Sequence, residues 1–260
     1  MTLFRNIIRS IKKSIPSAIT LLNLLAGCMA ILMSFHDVAL GGLLIMLAGI
    51  FDFFDGLAAR LLNAYSDIGK ELDSLADIVS FGVAPSFILY QLLNMSLFAG
   101  DFGSATGIHA TTETAILASA FMPAVFAAIR LAKFNVSAQE KDAFIGLPSP
   151  AAGIFIASIG FIVFTTGSLW LRELFFNTTF LVLISIFLSV LMVIPLPMFS
   201  IKFSNFGLRD NKIRYLFVIP SFFLLVFIGL TAIPVILVYY ILLSAVTASL
   251  LSKTASGQTL

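Results

Sequence analysis

Residues 52–77 read DFFDGLAARLLNAYSDIGKELDSLAD and hold six of the thirteen acidic residues of a 260-residue chain that is 60% hydrophobic. Apolar sequence flanks the stretch on both sides, so carboxylates held there need compensation for a large desolvation cost. Acids clustered at the edge of apolar segments point to bound cations.

Outward from that stretch the composition leaves one class. Only 11% of residues are charged and 27 are Phe, with a mean hydropathy of +1.08, values that no soluble domain carries on its surface. An integral membrane protein is expected, with membrane lipid as its surroundings and no nucleic-acid partner. The one Cys, Cys28, excludes an internal disulfide or a Cys-built metal site and reads as a small packing residue. A basic stretch precedes the first apolar run, as in a signal peptide, but the run continues for about 20 residues, enough to span a bilayer.

Apolar segments near 16–35, 38–58, 74–98, 114–132, 149–167, 174–199, 215–231 and 234–251 predict an all-α polytopic protein with about eight transmembrane helices. Period-2 alternation, the mark of a membrane barrel, is missing from these runs. Residues 1–15 place Leu3, Ile7, Ile8 and Ile11 at helical spacing among Arg and Lys, the pattern of an interfacial amphipathic helix, although a plain basic anchor reads as well. Pro16 would mark the turn into the membrane. The rest, 16–253, is expected to be a single transmembrane domain. With the N-terminus inside, every Lys and Arg except Arg172 falls in a cytoplasmic segment, as the positive-inside rule requires. The acid cluster then lies at the cytoplasmic face of the cell membrane.

Asp52 and Asp55 are three residues apart, and Gly69, Asp73 and Asp77 follow at four and four. On helices each set shares a face. Two helices joined around LNAYSD would point Asp52, Asp55, Asp73 and Asp77 at one another, where unscreened carboxylates repel. Divalent metal resolves the conflict, and an oxygen-only ligand set favours Mg2+ or Mn2+ over zinc. Two such ions are the common device for in-line displacement at phosphorus. Gly56 lets a ligand approach the backbone closely, and the planar fork of Arg60 suits a phosphate.

The pattern D-x2-D-G-x2-A-R-x8-G-x3-D-x3-D, met by Asp52, Asp55, Gly56, Ala59, Arg60, Gly69, Asp73 and Asp77, resembles the signature of the CDP-alcohol phosphotransferases. IPSAITLLNLLAG in the first helix, ADIVSFGVAPS after the motif, RLAKFNV at 130–136 and FIGLPSPAAG at 144–153 resemble, within that family, the phosphatidylserine synthases. Those transfer a phosphatidyl group from CDP-diacylglycerol to L-serine and release CMP. The chain departs from them at Ser17, where Asn is frequent, and at Lys133, where Arg is usual. The resemblance implies that Asp52, Asp55 and Asp73 bind metal and that Asp77 both binds metal and acts as general base. It implies that Gly56, Arg60, Ser66, Thr20 and Asn23 contact the CDP-lipid. Arg130, Asn135 and the GLPSP segment would lie near the carboxylate and amine of the acceptor. A homodimer is also implied by the resemblance alone.

Other readings compete. Inositol phosphate, glycerol phosphate or another polar alcohol would keep the chemistry with a different acceptor. A cation transporter would also place carboxylates in the membrane, but it calls for acids at several depths, whereas those outside 52–77 fall in expected loops. A non-catalytic lipid-binding homologue would be expected to lack a signature acid, and none is lost. Asp67 and Glu71 read as solvated charges, His36 and His109 as loop residues, and Pro123 as a kink.

Overall fold

The computed structural model describes residues 2–99, 110–136, 144–199, 207 and 211–256, with side chains described for 14–98, 111–136, 146–199, 207 and 211–249. The side chains of residues 1–13, His109 and the segments 137–143 and 201–206 lie outside the described residues, so the amphipathic face expected at the N-terminus does too.

Helix dominates, as the long apolar runs demand. The first helix, α1 (Thr2–Ser34), runs through Pro16 without a break. This corrects the turn expected there, and the missing proline N–H costs the helix one bond rather than its course. Asp37 caps α2 (Val38–Leu61), accepting a hydrogen bond from Leu40 N at 3.0 Å. After the connection at 62–66 comes α3 (Asp67–Asp77), then a π-helical segment, Ile78–Val83, then α4 (Ala84–Ala99). These three make one apolar helix, Asp67–Phe98. Next are α5 (Ala110–Ser119) and α6 (Met122–Val136), bent by 41° just before Pro123, then α7 (Ser149–Thr165), α8 (Leu169–Phe175) and α9 (Thr178–Val193). The chain ends in α10 (Lys212–Ile228), a 3-10 turn at Gly229–Ala232, and α11 (Ile233–Ser256). One two-residue antiparallel pair, β1 (Phe144–Ile145) with β2 (Pro197–Met198), ties the segment before α7 to the segment after α9.

Among the described residues four helices are long and apolar enough to cross a membrane, or six if α5 with α6 and α8 with α9 each make one bent span, against the eight expected. Two features account for the difference. Helix α7 has 17 residues, about 26 Å of rise, which is short of a hydrocarbon core of about 30 Å. The expected last two spans both lie within one 38-residue apolar stretch, Lys212–Ser249. That stretch folds back at Gly229, whose φ of 71° suits glycine: the Tyr239 hydroxyl donates to Leu216 O at 2.7 Å and its ring stacks 5.9 Å from Phe217.

The interior is built where α1, α2, α4 and α7 meet, around Ile45, Phe81, Ile88, Leu92, Ile156 and Ile159, all fully buried or nearly so. Large apolar side chains such as Leu25, Phe53, Phe222 and Phe227 face outward, as lipid contact requires. Cys28 is exposed rather than a packing residue. Gly42, in contrast, packs closely, since a Cβ there would stand 2.6 Å from Ala157 O.

Candidate active site

The last turns of α2 carry Asp52 and Asp55, and α3 carries Asp73 and Asp77, one turn apart. Ser66 caps α3, accepting a hydrogen bond from Gly69 N at 3.0 Å, so a residue expected to touch lipid also fixes the start of the acid-bearing helix. Gly69 presses against that cap, with a built Cβ only 2.9 Å from Ser66 Oγ. The result is the face-to-face arrangement that the helical spacings predict. One carboxylate oxygen each from Asp52, Asp55 and Asp73 lies within 4.8 Å of the others.

Asp77 stands deeper. It is 91% buried, accepts a hydrogen bond from Asn23 Nδ2 of α1 at 3.5 Å, and lies within electrostatic reach of Asp52, Asp55 and Asp73. The π-helical segment begins immediately after it. Such segments shift a helix's register locally and recur at functional sites. Here the shift is held from two sides. Ser80 donates to Asn23 O at 3.0 Å, and a Cβ at Gly27 would fall 2.8 Å from Ser80 Cα. On the other side, a Cβ at Gly153 would fall 2.9 Å from both Phe81 Cα and Phe81 O. Only glycine permits these approaches.

Two buried oxygens in this region, Asp55 Oδ2 and Asn23 Oδ1, have no hydrogen-bond donor among the described residues. Buried acceptors are nearly always satisfied, and hard oxygens converging with excess negative charge suit a divalent cation. The residues therefore fit the metal expected from the sequence.

Beside the acids opens a cavity of about 290 Å³, lined by Thr20, Asp55, Gly56, Arg60, Ser66 and Asp73 together with Ser17, Tyr65 and Lys70. Arg60 Nε donates to Gly56 O at 2.9 Å, and a Cβ added at Gly56 would meet nothing nearer than the Arg60 guanidinium at 4.0 Å. The backbone at Gly56 is thus open to a ligand. Thr20 donates to Pro16 O at 3.0 Å and lies against the Asp55 carboxyl.

The structure brings Gly56, Arg60, Ser66 and Thr20 to the cavity wall, whereas Asp52, Asp77, Asn23, Arg130 and Asn135 are outside its lining. Asn135 joins α6 to α3, donating from Nδ2 to Ser74 Oγ at 3.0 Å. Arg130, also buried, reaches Ser149 Oγ of the GLPSP segment at 3.5 Å. Asp67 and Glu71 are exposed, as expected of solvated charges. Sequence reasoning passed over Ser17, Tyr65 and Lys70 as wall residues. Ser17 had a signal, lying three before Thr20 on α1, and Lys70 adjoins Gly69; Tyr65 had none beyond its place in the connection.

Comparison with known proteins identifies a family. A family profile described as CDP-alcohol phosphatidyltransferase matches residues 13–194. A CDP-diacylglycerol–serine O-phosphatidyltransferase of Bacillus subtilis (strain 168) is 38% identical over 149 residues, 56% of this chain and 75% of that protein. One from Helicobacter pylori (strain J99) is 32% identical over 232 residues, 78% of this chain and 91% of its own length. One from Methanocaldococcus jannaschii is 36% identical over 154 residues, 58% of this chain and 63% of its own. With its acid-bearing helices inside the matched region, the chain belongs to the CDP-alcohol phosphatidyltransferase family and is a membrane transferase.

Proposed function

We propose that this transferase moves a phosphatidyl group from CDP-diacylglycerol to the hydroxyl of L-serine, yielding phosphatidylserine and CMP. The observation that carries the reading is the convergence of Asp52, Asp55 and Asp73 within 4.8 Å beside an open cavity. The serine acceptor is supported by the names of relatives that cover most of the chain.

Asp52, Asp55, Asp73 and Asp77 would hold two divalent cations, Mg2+ or Mn2+. Bound there, these supply neutralisation of charge on the attacking and leaving oxygens. The side chains do the rest. Gly56 offers unobstructed backbone to the pyrophosphate, and Arg60, with Lys70 nearby, offers positive charge to its oxygens. Asp77, held by Asn23, takes the proton from the serine hydroxyl. The freed oxygen forms the new bond to the phosphorus that carries diacylglycerol, and the bond from that phosphorus to CMP breaks. Burial of Asp77 and Asn23 keeps bulk water from competing for the same phosphorus. The N-terminus lies inside the cell, the site faces the cytoplasm, and the protein works as a homodimer, the last by family resemblance.

The test is CMP release from CDP-diacylglycerol by purified protein with Mg2+ or Mn2+, comparing serine, inositol phosphate, glycerol phosphate and no acceptor. Release that depends on serine and is abolished by chelation is expected. Release only with another alcohol would keep the chemistry and overturn the acceptor. No release with any acceptor from folded protein would overturn the reading.

A further inference from the structure

Helix α3 carries two of the four signature acids on very little packing. Of its eleven residues only Ala76 and Asp77 are buried, while Asp67, Lys70 and Glu71 are exposed and Ile68 and Leu75 present 80% and 60% of their surface. The Ser66 hydroxyl caps its start, and the π-helical segment follows its end. Neither device acts on the middle turn, where Asp73 stands. With side chains reaching about 5–6 Å from a helix axis, a rotation of about 20° displaces a carboxylate by about 2 Å. Repulsion among the facing acids favours such a rotation before a cation binds, and oxygens that converge within 4.8 Å would not stay together through it.

The middle turn is tied to α6. Near the end of that helix Asn135 donates from Nδ2 to Ser74 Oγ at 3.0 Å, and Ser74 Oγ in turn donates to Lys70 O, one turn back in α3, at 3.2 Å. The other acceptor within reach of the Ser74 proton, Asn135 Oδ1 at 3.4 Å, keeps the same two side chains together. Both are half-buried, where a hydrogen bond is shielded from competing water. Ser74 stands about 100° around the axis from Asp73 and about 60° from Asp77. The tie therefore resists rotation from beside the acid face without filling it. Five residues earlier in α6, Arg130 comes within electrostatic reach of Asp77, so α6 approaches α3 at two points. Neither Asn135 nor Ser74 lines the cavity.

We infer that Asn135 and Ser74 form a latch between α6 and α3, which sets the rotation of α3 and so holds Asp73 and Asp77 at the bearing needed to bind a divalent cation. Both are positioning residues that act through the two acids and touch no substrate. The family resemblance places Asn135 beside the acceptor instead, whereas in this structure its amide is given to Ser74. The inference rests on the metal-binding part of the reading above and is independent of serine as the acceptor. A latch has a signature that an acceptor contact lacks. The bond exists only while both partners are present, so losing either has the consequence of losing both.

The experiment titrates Mn2+ into the full chain in detergent micelles without substrates, following the free ion by electron paramagnetic resonance, and separately measures kcat and acceptor KM from CMP release. Asn135→Leu and Ser74→Ala each break the latch; Ser74→Thr keeps the hydroxyl. Each of the first two should weaken Mn2+ binding about tenfold, as loss of a group that orients a metal ligand does, and lower kcat, with acceptor KM within about twofold of wild type. The double variant should bind Mn2+ no more weakly than the worse single one, and Ser74→Thr should bind it as wild type does. An Asn135→Leu protein with a raised acceptor KM and intact Mn2+ binding would overturn the inference in favour of an acceptor contact. Additive losses in the double variant would overturn it too, as would a lower melting temperature with unchanged Mn2+ affinity, the mark of a merely structural role. If Asn135→Leu fails to fold, Ser74→Ala set against Ser74→Thr carries the test. Wild-type protein that binds no Mn2+ would refute the metal reading itself, before any variant is compared.

Discussion

Asp77 differs from the other acids in its surroundings. Asp52, Asp55 and Asp73 bring their oxygens together, whereas Asp77 is held by Asn23 and lies outside the cavity wall. Replacing it with Asn keeps size and shape while removing the proton acceptor. Asp77→Asn should therefore lower turnover by about 10²–10⁴-fold, the usual worth of a general base, and leave CDP-lipid binding measurable. Turnover and equilibrium binding to the same lipid vesicles check this; turnover that persists would remove Asp77 from the role of base. At this scale the sequence was informative, because helical spacing alone brings the four aspartates to facing surfaces. Asn23 as the partner of Asp77 was not legible: the resemblance gave it only as a contact of the CDP-lipid, and nothing in a stretch such as LLNLLAG tells an inward asparagine from a helix-packing one.

Between Asp77 and Ala84 the chain inserts a π-helical segment into an otherwise regular helix, and two glycines from other helices, Gly27 and Gly153, press against it. Gly153→Ala would set a methyl group 2.9 Å from the Phe81 backbone. Backbone cannot swing aside as a flexible side chain can, so the segment must move. A loss of about 1–3 kcal/mol of stability is expected from such overpacking, with turnover falling alongside as Asp77 shifts. Thermal melting in detergent and the CMP assay measure the two effects, and an unaltered melting point would show that the contact is slack. The segment was not legible beforehand. IVSFGV reads as more of an apolar run, because a register change leaves no residue signature when both flanking turns are hydrophobic. The bend before Pro123 was legible, since proline cannot continue the hydrogen-bond ladder.

Over the whole molecule, the distribution of charge carries a topology. Lys70 adjoins the acid cluster, whereas Arg172 lies on the short helix α8, beside the exposed Trp170, an aromatic suited to an interface. In a Cys28→Ser background, Arg172→Cys should react with a membrane-impermeant thiol reagent in intact cells. Lys70→Cys should react only after the membrane is opened. The reverse pattern would invert the orientation. The helical class was plain from composition, but the span count was not, because run length in a sequence does not tell a 17-residue helix from a full crossing. Nor does it announce that residues 130 and 240, more than a hundred positions apart, come within electrostatic reach of each other. Such pairing depends on how distant helices assemble, and each helix taken alone is simply apolar.

The cavity beside the acids lies where the end of α2 and the start of α3 meet the middle of α1, with Ser17, Arg60, Tyr65 and Lys70 in its wall. A donor with two acyl chains can present its nucleotide there without leaving the bilayer, travelling sideways until its headgroup meets the opening. The enzyme's effective substrate concentration is then the number of donor molecules per unit of membrane area. Diluting the donor among inert lipids would starve it even when the amount per millilitre is constant. Only the acceptor and the departing CMP obey the volume of the surrounding water.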